Sequence, residues 1–248
     1  MRTFAAPLLL LALSLPVAAQ VTQVDYASLT GAESVGFDDI AGGPAPGTRY
    51  DGLFVSNGVA FGERFSGQTV ADAGGFDRLE GTPVGGLSLL AGAAGRNLNV
   101  FVNGSSQVLT GLGSAGYPQF DAIGEGAFAM MFSSDQSEFG FQLVGGDGGS
   151  ATIDFFARDG SLIDSVLMGS LADSFYGFSR DGGVNDIAGI SIWNTDAAGI
   201  GFDNLKHDVA SNVPPPSAIP EPSAGALMLA GLGALGWSAR RRARTGVR

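Results

Sequence analysis

The chain has 248 residues, a formal net charge of −11 at pH 7, 40 glycines and no cysteine. The lack of cysteine excludes disulfides, thiol catalysis and cysteine-ligated zinc. Every acidic residue except Glu221 lies within residues 20–212, together with only seven basic residues. Such a body would repel the phosphates of nucleic acid and anionic membrane surfaces, so we expect no nucleic-acid partner.

The N-terminus has the pattern of a secretory signal peptide. Arg2 precedes an apolar run over residues 8–15, and small residues follow it up to Ala19. A first transmembrane helix is the alternative, but an apolar run of about eight residues is too short to span a bilayer. We therefore predict that residues 1–19 are removed by a signal peptidase, which cleaves after Ala19.

Residues 20–212 form the body, and their pattern predicts an all-β domain. Short alternating apolar runs are separated by Gly, Asn and Asp, and helical periodicity is almost absent. Residues 53–61 are typical of a hairpin with Asn57-Gly58 at its turn. A second such turn is expected at Asn103-Gly104.

Further runs along the body predict about ten strands in total. Their spacing indicates an antiparallel two-sheet sandwich of jelly-roll type, whereas propellers and solenoids would need a repeat of about 20–50 residues. Aromatic residues in two of the runs predict an inward-facing aromatic side. The predicted strands after the first hairpin are residues 98–102, 128–132, 139–143, 152–157, 162–167, 174–178, 187–193 and 199–205.

A short pattern near the start of the body is repeated near its end. Gly-Phe-Asp-Asp-Ile at 36–40 is echoed by Gly-Phe-Asp-Asn-Leu at 201–205. The pair resembles the terminal strands of jelly-roll carbohydrate-binding modules. That resemblance implies neighbouring first and last strands and an acidic residue that holds a structural calcium ion.

Calcium prefers six to eight oxygen ligands, and this pair of segments offers four of them. The alternative is that these side chains only shape turns and strand ends. A loop at 181–186 is also rich in oxygen ligands but lacks the spacing of an EF-hand. The candidate calcium ligands are Asp38, Asp39, Asp203 and Asn204.

Catalytic motifs are weak in this chain. Residues 111–116 match Gly-x-Gly-x-x-Gly, but Tyr117-Pro118 follows where a helix should begin, which argues against a dinucleotide site. His207 is the single histidine and is expected at a solvated strand edge, so a multi-histidine metal site is excluded.

Carboxylates are the remaining candidates for catalysis. A glycoside hydrolase needs two of them about 5–10 Å apart across a cleft. Solvent-facing acids on an acidic surface are the alternative, and we predict that the protein is not an enzyme. The candidate acids on or near predicted strands are Glu125, Glu138, Asp154 and Asp164.

The C-terminal 30 residues combine four features in a fixed order. These are a Pro-Glu-Pro tripeptide, an apolar span at 223–239, an arginine cluster at 240–248 and the chain end, and a Pro-rich linker at 213–218 precedes them. Seventeen helical residues extend about 25 Å, enough to predict one transmembrane helix. Arginines that follow a span stay in the cytoplasm, which places the body on the other side of the membrane. The motif residues are Pro220, Glu221, Pro222, Arg240, Arg241, Arg242 and Arg244.

This order of features resembles the PEP-CTERM sorting signal of Gram-negative bacteria, which is also labelled the ice-binding protein C-terminal domain. The resemblance implies recognition by an exosortase, with processing near Pro220–Pro222. It further implies an intermediate anchored in the inner membrane with its body in the periplasm, followed by release to the cell surface or the extracellular space. It implies nothing about the body itself.

Three function classes follow for the body. The favoured one is a noncatalytic surface or extracellular-matrix protein that is associated with biofilm or binds exopolysaccharide, with Trp193 and Tyr176 as stacking residues if they are exposed. The second is a secreted, carboxylate-dependent glycoside hydrolase. The third is a structural matrix subunit without a ligand, which associates through strand edges. A shallow groove with exposed aromatics would favour binding, and a deep cleft with two acids would favour hydrolysis.

Overall fold

The computed structural model describes residues 21–215, and within them the chain forms 19 β-strands and three short 3-10 turns. The 3-10 turns are Tyr26–Ser28, Phe120–Ala122 and Asp181–Gly183. The strands are β1 (Val21–Val24), β2 (Glu33–Val35), β3 (Thr48–Tyr50), β4 (Phe54–Ser56), β5 (Val59–Gly62), β6 (Arg64–Phe65), β7 (Thr69–Asp72), β8 (Asp77–Glu80), β9 (Leu89–Leu90), β10 (Leu98–Asn103), β11 (Ser106–Leu112), β12 (Ile123–Gly126), β13 (Phe128–Gln136), β14 (Glu138–Gly145), β15 (Ser150–Phe156), β16 (Leu162–Gly169), β17 (Ser174–Arg180), β18 (Ile187–Asn194) and β19 (Ile200–His207).

Most of these strands belong to two large sheets. Sheet A has nine strands, in the order β1-β17-β14-β19-β11-β10-β3, with β12 added beside β11 and β2 beside β19. Sheet B has six strands, in the order β16-β15-β18-β13-β5-β4. Neighbouring strands of the described residues pair antiparallel throughout both sheets. The predicted all-β class and antiparallel pairing are confirmed, and the jelly-roll type stays a prediction.

Two predicted segments lie outside the described residues, namely the signal peptide at 1–19 and the membrane span at 223–239. From residue 21 to residue 215, the chain contains no helix long and apolar enough to cross a membrane.

The main core lies between sheets A and B, and aromatic side chains fill much of it. Successive side chains of a strand point to opposite faces, so Phe128 and Phe132 of β13 enter the core while Ala129 faces the other way. The Phe128 ring meets Phe202 of sheet A edge-on, with 4.7 Å between ring centroids. Each fully buried ring contributes about 1.5–3 kcal/mol relative to exposure. The predicted aromatic inner side of these strands is confirmed.

A third layer covers the outer side of sheet B. It is formed by residues 63–97, which we call the covering segment, and it contains the two-stranded ribbons β6–β9 and β7–β8. Phe65 packs edge-on against Phe156 of sheet B at 5.6 Å, within a second apolar cluster. Gln68 links this layer to sheet B, because its Nε2 donates a hydrogen bond to Ser191 Oγ at 3.2 Å. No strand was predicted here from the sequence, because strands of only two to four residues are too short to show an alternating pattern.

The two predicted hairpin turns have different outcomes. Asn57 and Gly58 have φ values of 43° and 77°, and Ser56 pairs with Val59, so the first turn is confirmed. In the second hairpin Asn103 pairs with Ser106, which makes Gly104 and Ser105 the central residues. The position predicted for that turn was therefore wrong by one residue. The turn needs positive φ only at its first central position, where Gly104 has a φ of 65°.

The start of the body pairs with its end, although the repeated segment at 36–40 forms a turn and not a strand. Val35 of β2 pairs with Leu205 of β19, and Glu33 pairs with His207. His207 is only 2% exposed, and its ring lies 5.2 Å from that of Phe132. The expectation of a solvated edge was wrong, because β2 pairs alongside the end of β19 and the His207 ring packs on Phe132.

The chain after β19 lies against the β4–β5 turn. The carbonyl of Gly58 accepts hydrogen bonds from Ser211 Oγ at 2.7 Å and from the amide of Val213 at 2.9 Å. A Cβ on Gly58 would lie 1.9 Å from the carbonyl oxygen of Ser211. Glycine is thus required here both by the backbone conformation and by the close approach of the C-terminal segment.

We expect Gly58→Ala to destabilise the fold more than Gly104→Ala. Both glycines have positive φ, which costs an alanine about 1–2 kcal/mol. Only at Gly58 does the new methyl group also collide with backbone, since a Cβ on Gly104 meets nothing within 4 Å. The excess should be about 1–3 kcal/mol in the free energy of unfolding, measured by urea titration. Equal losses in the two variants would contradict the contact with Ser211.

Candidate functional site

The structure brings only some of the predicted calcium ligands together. A Cβ on Gly36 would lie 3.8 Å from Asp203 Oδ1 and 3.9 Å from Asp38 Oδ2, so these two carboxylates flank one glycine. Asp39 lies elsewhere: it accepts hydrogen bonds from Ser56 Oγ at 2.5 Å and from the amide of Asn57 at 2.9 Å. Asp39 therefore shapes the first hairpin turn.

Asp203 and Asn204 are engaged in hydrogen bonds at a strand irregularity. Asp203 accepts from Ser106 Oγ and from the amide of Asn204. Asn204 has a φ of 47°, and its Nδ2 donates to Gln142 Oε1 at 2.8 Å. Within residues 21–215, no group of three or more His, Asp or Glu side chains is arranged to hold a metal ion. The calcium site stays a prediction.

The candidate sorting and membrane-flanking residues lie outside the described residues. They are Pro220, Glu221, Pro222, Arg240, Arg241, Arg242 and Arg244.

The four candidate catalytic acids are dispersed over both sheets. Glu138 accepts from the amide of Thr30 at 2.7 Å, and Asp164 accepts from the amide of Val21 at 2.8 Å, so both hold the N-terminal segment. Asp154 and Glu125 are half-buried, and burial raises the pKa of each carboxyl. None of the four lines the pockets described below.

The two aromatic residues proposed for sugar stacking are both half-buried. The guanidinium of Arg78 lies 5.7 Å from the ring centroid of Trp193. The Tyr176 hydroxyl donates to the carbonyl of Ala172 at 3.2 Å, and its ring packs 5.8 Å from Phe141. Neither ring therefore offers an open stacking surface.

An open aromatic surface occurs elsewhere, on sheet A. Two adjoining pockets of about 240 and 320 Å³ share Phe101, Ile123 and Ala198, and together we call them the aromatic groove. Phe101 faces outward because the neighbouring Val100 enters the core. Phe120, in the second 3-10 turn, is 68% exposed at the same groove.

Glycines line part of the aromatic groove. A Cβ on Gly201 would lie 2.4 Å from Val108 Cγ1, so the absence of a side chain at Gly201 leaves room for Val108 on this face of the sheet. Gly145 and Gly199 also line the groove. The exposed side chain of Asn103 stands beside them, whereas Thr110 is buried and its hydroxyl accepts a hydrogen bond from Asn99 Nδ2 at 3.3 Å. The groove thus combines flat apolar surface with a few hydrogen-bonding groups, as small-molecule sites commonly do.

A second pocket, of about 320 Å³, lies in the covering segment. We call it the acid pocket, because two carboxylates line it and both are almost fully buried: Glu63 is 4% exposed and Asp77 1%. The remaining lining residues are Arg64, Gln68, Thr69, Val70, Ala93 and Arg96.

Each carboxylate of the acid pocket has an arginine neighbour, but the two pairs differ. Arg64 forms a hydrogen-bonded ion pair with Glu63. Arg96 Nη2 lies 3.9 Å from Asp77 Oδ1, which is too long for a hydrogen bond. Among the described residues, Asp77 Oδ1 is a buried oxygen that accepts no hydrogen bond.

Burial dominates the electrostatics of the acid pocket. It raises the pKa of Asp77 to about 7, with a further increase from the charge of Glu63, while Arg96 and the backbone amide of Ala127 oppose the shift. Burial also raises the pKa of Glu63, against the opposing charge of Arg64. The pocket therefore contains a carboxyl group that titrates near neutral pH.

Comparison with known proteins bears on a different part of the chain. The described body defines an antiparallel all-β protein, and a search of curated sequences and of solved structures gave no significant match. Residues 218–242 match the PEP-CTERM protein-sorting motif. This match confirms the sorting resemblance of the tail and leaves the carbohydrate-binding resemblance of the body a prediction. The motif implies an exported protein that an exosortase processes through a membrane-anchored intermediate.

Sequence reasoning missed the residues of both pockets. Asp77 had a detectable signal, because it lies two residues before the buried Leu79 in an alternating strand and so shares its inward face. Phe120 had none, since a single phenylalanine beside a turn is equally compatible with burial.

Substitution of Asp77 by Asn should change how stability depends on pH. The folded-state pKa of about 7 exceeds the ordinary aspartate value of 3.8, so between these values the folded protein holds a proton that the unfolded chain has released. Stability should fall as the pH rises through this window. We expect Asp77→Asn to be more stable than wild type by about 1–4 kcal/mol near pH 8 and equal to it near pH 4, by urea titration.

Asp72→Asn is the matched control. Hydrogen bonds from the Gly75 amide and the Ser114 side chain lower the pKa of Asp72, so its substitution should not stabilise the protein near pH 8. If the difference in free energy of unfolding between wild type and Asp77→Asn is the same at pH 4 and at pH 8, the raised pKa of Asp77 is contradicted.

Proposed function

We propose that this protein is exported, sorted by an exosortase and displayed without catalytic activity at the cell surface or in the extracellular matrix. The observation that carries the proposal is the PEP-CTERM motif at residues 218–242. The predicted signal peptide at 1–19 supports it, because both ends of the chain then direct the body across the inner membrane. The acidic, cysteine-free body is suited to a soluble domain in that location.

We further propose that the displayed body binds exopolysaccharide through the aromatic groove. A sugar ring has an apolar face of C–H groups and a polar rim of hydroxyls. Phe120 and Phe101 offer rings for the apolar face, and the exposed Asn103 offers a partner for hydroxyls. A biofilm role follows if the polysaccharide is that of the producing cell.

A glycoside hydrolase is the second candidate, and one observation favours it. Glu63 and Asp77 line the same pocket, and a carboxyl with a pKa near 7 suits a general acid. The ion pair with Arg64 favours the charged form of Glu63, against the burial that raises the pKa of this carboxyl. Release of reducing ends from exopolysaccharide, lost in both Glu63→Gln and Asp77→Asn, would establish this activity.

The sorting proposal predicts a truncated mature protein. In the native host, we expect the intact mass to end near Pro220–Pro222, because the exosortase processes the chain at the Pro-Glu-Pro motif. Glu221→Ala should abolish this cleavage, whereas Glu80→Ala in the exposed part of β8 should leave it unchanged. A wild-type mass that extends to Arg248 would contradict exosortase processing.

The groove proposal predicts a selective loss of polysaccharide binding. Phe120→Ser should weaken retention in affinity electrophoresis on the host exopolysaccharide about tenfold, since it removes an exposed ring worth about 1.4 kcal/mol. Phe175→Ser is the control, because Phe175 is also exposed in sheet A but does not line the groove. Equal retention of the two variants would rule out the groove as the binding surface.

A further inference from the structure

The acid pocket has a built polar interior that neither the sorting motif nor the aromatic groove explains. It shares no lining residue with the groove, and it belongs to the covering segment, whereas the groove lies on sheet A. The two can therefore be tested separately.

We propose that the acid pocket is a second carbohydrate site, which binds one neutral sugar ring through a hydrogen bond from a ligand hydroxyl to Asp77 Oδ1.

The unpartnered oxygen of Asp77 is the first argument for a ligand. Buried polar atoms in folded proteins are normally hydrogen-bonded, and Asp77 Oδ1 has no donor among the described residues. Its neighbour Gln68 shows the contrast: Oε1 accepts from the amide of Phe65 at 2.9 Å, and Nε2 donates to Ser191. Both polar atoms of the Gln68 side chain are thus hydrogen-bonded within the protein, whereas Asp77 Oδ1 is left for a donor on a ligand.

The charges of the pocket select the class of ligand. Glu63 and Asp77 are each beside an arginine, so the carboxylates and guanidinium groups balance. Near pH 8, where Asp77 is ionised, the two carboxylates and the two guanidinium groups carry no net charge, so the pocket favours neither an anion nor a cation. A neutral molecule that both donates and accepts hydrogen bonds matches this pattern, because adjacent sugar hydroxyls can donate to Asp77 and accept from Arg96.

The remaining lining and the size agree with a single sugar ring. Val70 and Ala93 give apolar surface for the C–H face of the ring, and Thr69 adds a hydroxyl at an exposed position. A volume of about 320 Å³ lies at the lower end of the range for small-molecule sites. It suits one sugar ring rather than a long chain.

The test uses the purified protein and three separate probes: glucose, galactose and mannose. Binding is measured by isothermal titration calorimetry near pH 8, where Asp77 is ionised. We expect at least one probe to bind saturably with a Kd in the millimolar range, corresponding to about −4 kcal/mol. Asp77→Ala should weaken that binding at least tenfold, and Phe175→Ser, at an exposed ring that lines neither the acid pocket nor the groove, should leave it unchanged.

A second variant keeps the test valid if Asp77→Ala does not fold. Ala93 is exposed at the pocket, so Ala93→Phe should block the pocket with a bulky ring while leaving Asp77 and the core in place. We expect it to abolish binding of the same sugar. Near-ultraviolet circular dichroism checks that each variant is folded.

Three results would overturn the proposal. One is no saturable binding of any of the three sugars up to about 100 mM, a concentration that would fill even a weak site. Another is binding that survives Asp77→Ala and Ala93→Phe but is lost in Phe120→Ser, which would assign it to the groove. The third is tighter binding of glucosamine or glucuronate than of the neutral sugars, which would contradict the charge argument. Failure here leaves the sorting proposal and the groove untouched.

Discussion

The structure depends on the packing of phenylalanine side chains between the two large sheets. Strands such as β13 and β14 place one aromatic face inward, and rings from sheet A and sheet B meet at 4.7 to 6.4 Å across the core. With no cysteine in the chain, this apolar burial takes the stabilising role that disulfides have in many exported domains. Because it occupies only one face of each strand, the opposite faces are left for the covering segment and for the aromatic groove.

The covering segment shows how a small third layer changes the chemistry of a sandwich. Its strands are too short to form a core alone, so Phe65 and Leu89 are anchored on the outer side of sheet B. That placement removes Glu63 and Asp77 from water, and burial then raises their pKa values. Carboxyl groups exposed to water on the surface would not have their pKa values raised by burial. The layer thus creates a polar interior of a kind that the two sheets by themselves do not provide.

Delivery and recognition are separated along the chain. The sorting motif lies in the last 31 residues, where its order of features is read directly from the sequence. Both pockets lie in the body, which carries the ligand chemistry in our proposals. The antiparallel sandwich is compatible with glycan binding, but a fold of this class serves many functions, so the argument for carbohydrate rests on the pocket side chains.

The sequence by itself determined the all-β class, the first hairpin turn and the sorting motif, because each depends on local periodicity, on turn chemistry or on a contiguous pattern. The resemblance carried by residues 36–40 and 201–205 also implied that the first and last strands are neighbours. Tertiary structure decided the rest. It buried His207 against Phe132 in a strand that β2 flanks, directed Asp39 to the β4–β5 turn, and joined Asp77 to Glu63 in one pocket. These outcomes depend on contacts between distant segments, which a single strand pattern does not specify.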